Sequence, residues 1–167
     1  YHALYSALHE DMHTEALTYT RQTHGWPAPT LGIEIDPDDV EGNGPLPGDV
    51  EIPGGALQLG SSPVDPFVFD NEKWAHPVEV APFSIARAAL TQAEFAEFVD
   101  AGGYTDAKYW TDAGWEWRQS REAEHPLHWR RNGQEWQRRH FDTWHGLEPH
   151  LPIIHVNWFE ADAYRRR

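Results

Sequence analysis

The stretch "FVFDNEKWAHPVEVAPFSIARAALTQAEFAEFVDAGGY", residues 67 to 104, changes its period part-way along, and that change decides the fold class. Up to Ala88 the apolar residues sit in short runs broken by prolines, "HPVEVAPFSIARA" over 76–88, which is how strands read. From Thr91 the pattern turns helical. Thr91 and Glu94 have the spacing of a capping box, in which the Thr hydroxyl accepts from the third helical N–H and the Glu carboxylate reaches back to the cap. Phe95, Phe98 and Val99 then fall on one face, and Gly102 or Gly103 supplies the stop. The stretch therefore carries both strands and a capped helix.

Working outward, "DVEIPGGALQLG" over 49–60 predicts two extended arms with a turn at Gly54 and Gly55. "LHWRRNGQEWQRR" over 127–139 carries an Asn-Gly hairpin signal. With Arg131 and Gln134 flanking a two-residue turn, Arg130 faces Glu135 and Trp129 faces Trp136, pairs that favour that register. Asn157 and Glu160 in "PIIHVNWFEADAY", 152–164, repeat the capping-box spacing and predict a final helix. Upstream, "PAPTLGIEIDPDDVEGNGPLPGDV", 27–50, is dense in Pro, Gly and Asp and reads as a linker. Before it, residues 2 to 24 lack Gly and Pro, and Leu4, Leu8, Met12, Ala16 and Tyr19 recur at helical spacing until Gly25 and Pro27. The expected division is a helical part over 1–29, a linker over 30–48, and a mixed domain over 49–167.

Composition narrows the function classes. Residues 1 to 100 hold 3 basic and 17 acidic side chains, and residues 101 to 167 hold 10 of each, for a net charge of −14. Such a balance repels phosphate backbones and argues against nucleic acid as partner. No apolar run approaches the roughly 20 residues of a membrane span, and no signal segment opens the chain. Cysteine is absent, which excludes disulfides and thiolate sites within these residues and fits a reducing cytoplasm. Both termini fall inside helical patterns, so the expectation is an internal piece of a longer protein.

The first helix carries the chemistry. In "ALHEDMHTEALTYTRQTHG", residues 7–25, His9 and His13 lie four apart, so both imidazoles project from one face about one turn from each other. Two imidazoles so placed can ligate one ion, and "HEDMH" formally matches the His-Glu-x-x-His pattern of zinc proteases. The alternative is two polar residues on an ordinary amphipathic helix. Glu15, two residues past His13, points to another part of the surface and suits an orienting hydrogen bond to a ligand rather than direct ligation, or it is a solvated charge. His76, His128, His140, His145 and His155 follow no ligand spacing.

"HEDMHTEALTYTRQT", 9–23, resembles the His-x-x-x-His-x-Glu segment of the iron-dependent sulfoxide synthases of ergothioneine and ovothiol biosynthesis, whose first domain is a DinB-like four-helix bundle. "VEIPGGALQLGSS", the 67–104 stretch and "PIIHVNWFEADAY" are similar to the second domain of those enzymes, a formylglycine-generating-enzyme fold on a C-type-lectin-like α+β scaffold, so the resemblance implies an α+β fold class. "HEDMH" and "FVFDNEKWAHPVEVAPF" look more like the selenoneine-forming branch, while Met12 stands where many ergothioneine enzymes have Gln. The resemblance implies that His9 and His13 are two of three histidines holding Fe(2+), and that the third histidine and a proton-donating tyrosine lie outside these residues. It implies as substrates Nα-trimethylhistidine (hercynine), a thiol or selenol donor, and O2. A quaternary ammonium favours an aromatic wall, for which Trp74, Trp115, Trp117 and Trp144 are candidates by composition. The rival expectations are a formylglycine-generating-type oxidase, a non-catalytic lectin-like binding module and a zinc hydrolase.

Overall fold

The computed structural model describes residues 1–30 and 46–167; residues 31–45, the body of the expected linker, lie outside the described residues. Helix α1 (His2–His24) covers the Gly-free run and ends where Gly25 begins. The chain forms two compact units, one of Tyr1–Thr20 with Pro47–Arg87, the other of Arg21–Leu46 with Ala88–Arg167. Residues 47–87 group with Tyr1–Thr20.

In the first unit, strands β1 (Asp49–Ile52), β2 (Gly55–Leu59), β3 (His76–Val80) and β4 (Phe83–Ala86) make one interrupted antiparallel ribbon. The expected turn at Gly54 and Gly55 does not reverse the chain. Ile52 faces Phe83 and Gly55 faces Val80, so the register carries straight across a break in which Pro53 and Gly54 lie opposite Ala81 and Pro82. Proline has no N–H to give the ladder, and one on each side opens it. Gly54 sits at φ 73°, and a Cβ there would lie 2.4 Å from the Val80 carbonyl oxygen, so the break admits only glycine. The ribbon's far end is a loop over 60–75, pinned by its own hydrogen bonds. The Ser62 N–H donates to the Asp65 carboxylate at 2.7 Å, the Phe69 N–H to the Glu72 carboxylate at 3.1 Å, and the Ser61 N–H to the Glu72 carbonyl at 2.8 Å.

The second unit holds helices α2 (Gln92–Asp100), α3 (Asp112–Ser120) and α4 (Trp158–Arg165) with the meander β5 (Trp129–Asn132), β6 (Glu135–His140), β7 (Thr143–Gly146). Both capping boxes form as expected, at Thr91 with Glu94 and at Asn157 with Glu160. Phe95, Phe98, Tyr104, Trp110, Trp129 and Ala163 make the core. Each large aromatic withdrawn from water there contributes roughly 1.5–3 kcal/mol. The Tyr104 hydroxyl donates to buried Glu160 at 2.5 Å, which ties the core to the cap of α4. Replacing Asn157 by alanine removes the acceptor for the Glu160 N–H at 3.0 Å and is expected to lower stability by about 1 kcal/mol, read from the urea midpoint.

The hairpin is real but its register is slipped by two residues from the expected one. Asn132 faces Glu135 and Arg131 faces Trp136, so Gly133 and Gln134, not Asn132 and Gly133, are the central turn residues. Gly133 takes φ 62° at the first central position, where a type II′ turn calls for glycine. The observed register sets the Arg131 guanidinium 4.0 Å from the Trp136 ring and lets Arg130 donate twice to the Gln137 side-chain oxygen, at 3.0 and 2.9 Å. Trp129 and Trp136 still meet diagonally, with ring centroids 5.7 Å apart. Among the described residues no helix is long and apolar enough to cross a membrane.

Candidate metal centre

On α1 the two imidazoles converge. His9 Nε2 and His13 Nε2 lie 3.0 Å apart, with the rings perpendicular. Two metal–imidazole bonds of about 2.1 Å meeting near a right angle span about 3 Å, so the pair fits adjacent corners of one coordination sphere. His9 is half-buried and His13 exposed, which leaves the open side of the pair accessible. Glu15 is exposed, and among the described residues it makes no hydrogen bond or ion pair to either imidazole. No group of three or more His, Cys, Asp or Glu with metal-binding geometry occurs among the described residues, so the pair supplies two ligands and no third.

The helix adds a feature that the pair alone does not announce. Tyr1, Tyr5 and His9 stack in register, with Tyr1 to Tyr5 at 6.3 Å and 18°, and Tyr5 to His9 at 5.5 Å and 17°. The spacing of four that brings His9 to His13 continues back through Tyr5 to Tyr1, a signal present in the sequence. Of the four tryptophans proposed for an aromatic wall, Trp74 is in the first unit and half exposed, while Trp115, Trp117 and Trp144 are in the second. Trp115 and Trp117 pack against the core, and Trp144 lies under the Arg130 guanidinium at 4.0 Å.

In the second unit, His128 and His155 meet edge to face at 4.9 Å on the wall of a cavity of about 800 Å³. His128 is buried, and Arg139 Nη2 donates to its Nδ1 at 3.1 Å, which places the imidazole proton on Nε2. Burial, then the Arg139 charge, then His155, push its pKa down to about 4. His155 is lowered too, by burial first and then by Arg138 and Arg139. Its backbone holds φ 61°, uncommon for a residue with a side chain. Arg139 is itself held by Gln22 in the last turn of α1, whose side chain donates to the Arg139 carbonyl at 3.0 Å and accepts the Phe141 N–H at 2.7 Å. No spacing in the sequence predicts this pair, because the fold joins residues 27 positions apart.

Residues 36–167 match the model of the sulfatase-modifying factor enzyme 1-like domain. The chain belongs to this family. Within it, the chain is 34% identical over 165 residues to the hercynine oxygenase of Mycolicibacterium smegmatis, covering 93% of this chain and 36% of the relative. It is 38% identical over 100 residues to the hercynine oxygenase of Mycobacterium tuberculosis, covering 60% of this chain and 23% of the relative. The formylglycine-generating enzyme of Streptomyces coelicolor is 30% identical over 161 residues, covering 83% of this chain and 48% of the relative. The chain thus spans about a third or less of the hercynine oxygenases it matches. Both sets of relatives are enzymes, and the helices and sheets observed here agree with the expected α+β class.

Proposed function

We propose that this chain is part of a non-heme iron(II), O2-dependent synthase that joins sulfur or selenium to the imidazole carbon of hercynine, in ergothioneine or selenoneine formation. The observation that carries the reading is the convergence of His9 Nε2 and His13 Nε2 at 3.0 Å on a chain similar to hercynine oxygenases. His9 and His13 would hold the ion, with a third histidine from outside these residues and α1 as the last helix of a DinB-like bundle. Iron, when bound, supplies the one-electron chemistry that lets O2 serve as oxidant. For a thiol donor the balance is closed: the substrate loses its ring hydrogen, the thiol loses its own, one oxygen atom leaves in water and the other stays on sulfur. This chain's own part would be to hold the ion through His9 and His13 on one face of α1.

Supplying the full-length protein with Fe(2+), O2, hercynine and either a thiol or a selenol donor, and reading products by mass spectrometry, tests the reading. The expected result is a hercynine adduct containing sulfur or selenium, dependent on iron and on O2. In a parallel reaction supplied with a cysteine-containing peptide, conversion of the cysteine to formylglycine, with no hercynine adduct in the first, would favour the second reading, which the Streptomyces relative supports.

A further inference from the structure

We propose that Tyr5 is a positioning residue for the metal ligand His9, acting through ring stacking where such ligands ordinarily rely on a hydrogen bond; this rests on the metal reading above. A metal-binding imidazole is normally oriented by a carboxylate or carbonyl that accepts from its second nitrogen. Among the described residues neither His9 nor His13 makes a hydrogen bond through Nδ1. Besides the Nε2 contact with His13 at 3.0 Å, what restrains His9 is the Tyr5 ring, parallel to it within 17° at 5.5 Å. That contact removes the freedom of the imidazole to rotate about its terminal torsion, a torsion broad and weakly determined on its own. It also places the electron-rich face of an aromatic ring against an imidazole that gains positive character on ligating a cation.

Tyr5 is itself held from outside the helix. Phe69 meets it edge to face at 6.2 Å, Phe67 meets Phe69 at 4.9 Å and 88°, and Tyr1 stacks on Phe67 at 5.3 Å. Both phenylalanines stand on the 60–75 loop, whose internal hydrogen bonds make it a firm abutment. Buried Val68 anchors the same segment between them. A chain of ring contacts therefore runs from the tip of the ribbon to the ligand, all inside the first unit.

The test uses Co(2+) as the probe metal, with titration followed by its visible absorption and by calorimetry on the full-length protein, in which a third histidine would complete the site. Tyr5→Leu keeps the helix and an apolar contact but removes the stacking face; an affinity loss on the order of tenfold and an altered Co(2+) spectrum are expected. Tyr5→Phe keeps the ring and is expected to bind within about twofold of the unaltered chain, on the same warrant. Phe69→Ala leaves α1 untouched and is expected to weaken binding in the same direction, which covers the case in which Tyr5→Leu misfolds. A metal-free readout accompanies these: the His9 ring protons should lose their upfield ring-current shift in Tyr5→Leu and keep it in Tyr5→Phe. Tyr5→Leu and Phe69→Ala both binding Co(2+) like the unaltered chain would overturn the proposal while leaving the metal reading intact. Absence of Co(2+) binding by the unaltered full-length protein would overturn both.

Discussion

His13→Ala is expected to lower the affinity of the full-length protein for Fe(2+) or Co(2+) by well over the roughly 10–100-fold that loss of an outer-sphere partner costs, because it removes a ligand outright. The two Nε2 atoms are 3.0 Å apart on adjacent turns, so the helix backbone sets the spacing of the pair. Nothing nearby replaces the lost nitrogen: Glu15 is two residues away on another part of the surface, and no third ligand stands within reach among the described residues. His9→Ala should be as damaging. His13→Gln, which restores polarity but not imidazole basicity, should recover little. Calorimetric titration of each variant, with helix content followed by circular dichroism, separates loss of a ligand from loss of the helix. A variant that keeps its helix and binds as tightly as the unaltered chain would exclude the pair as ligands.

How much of this was legible in the sequence follows from the range of each interaction. The capping boxes at Thr91 and Asn157 are closed within four residues, and the sequence predicts them correctly. The His9–His13 pair and the Tyr1–Tyr5–His9 column share that locality, since a helix turns a spacing of four into contact. The hairpin defeats a local reading because two turns are available to "RRNGQE"; the register is settled by Arg131 on Trp136 and Arg130 on Gln137, not by the Asn-Gly pair alone. The ribbon break at Pro53 and Gly54 is intelligible only opposite Ala81 and Pro82, nearly thirty residues on. The same applies to His128 with His155, which no period connects. Chemistry written along one helix is readable from residue order, and chemistry assembled across a sheet is not.

The His128 environment makes the second unit sensitive to acid. Its imidazole protonates at about 4 in the folded chain against about 6.5 when unfolded, owing to burial first and the Arg139 charge second. Between those values the unfolded chain binds more protons, so stability rises with pH through this window. The contribution is fully present above about pH 6.5 and is lost as pH falls toward 4, which amounts to about 2 kcal/mol between pH 7 and pH 5 from this residue alone. With 7% of its surface exposed, His128 gains little screening from solvent. His155 and His140, also lowered by burial, add in the same direction. Glu160 opposes them: burial raises its pKa, so over the window from the ordinary carboxylate value up to its folded value the folded chain holds the extra proton, and stability falls as pH rises. The His128 term is isolated by comparing the unaltered chain with His128→Gln, whose amide oxygen can still accept from Arg139. Urea unfolding at pH 7 and pH 5 should show the unaltered chain losing about 2 kcal/mol more than the variant. Equal losses in the two would mean that the imidazole titrates normally and that the cavity wall is wetter than its burial indicates.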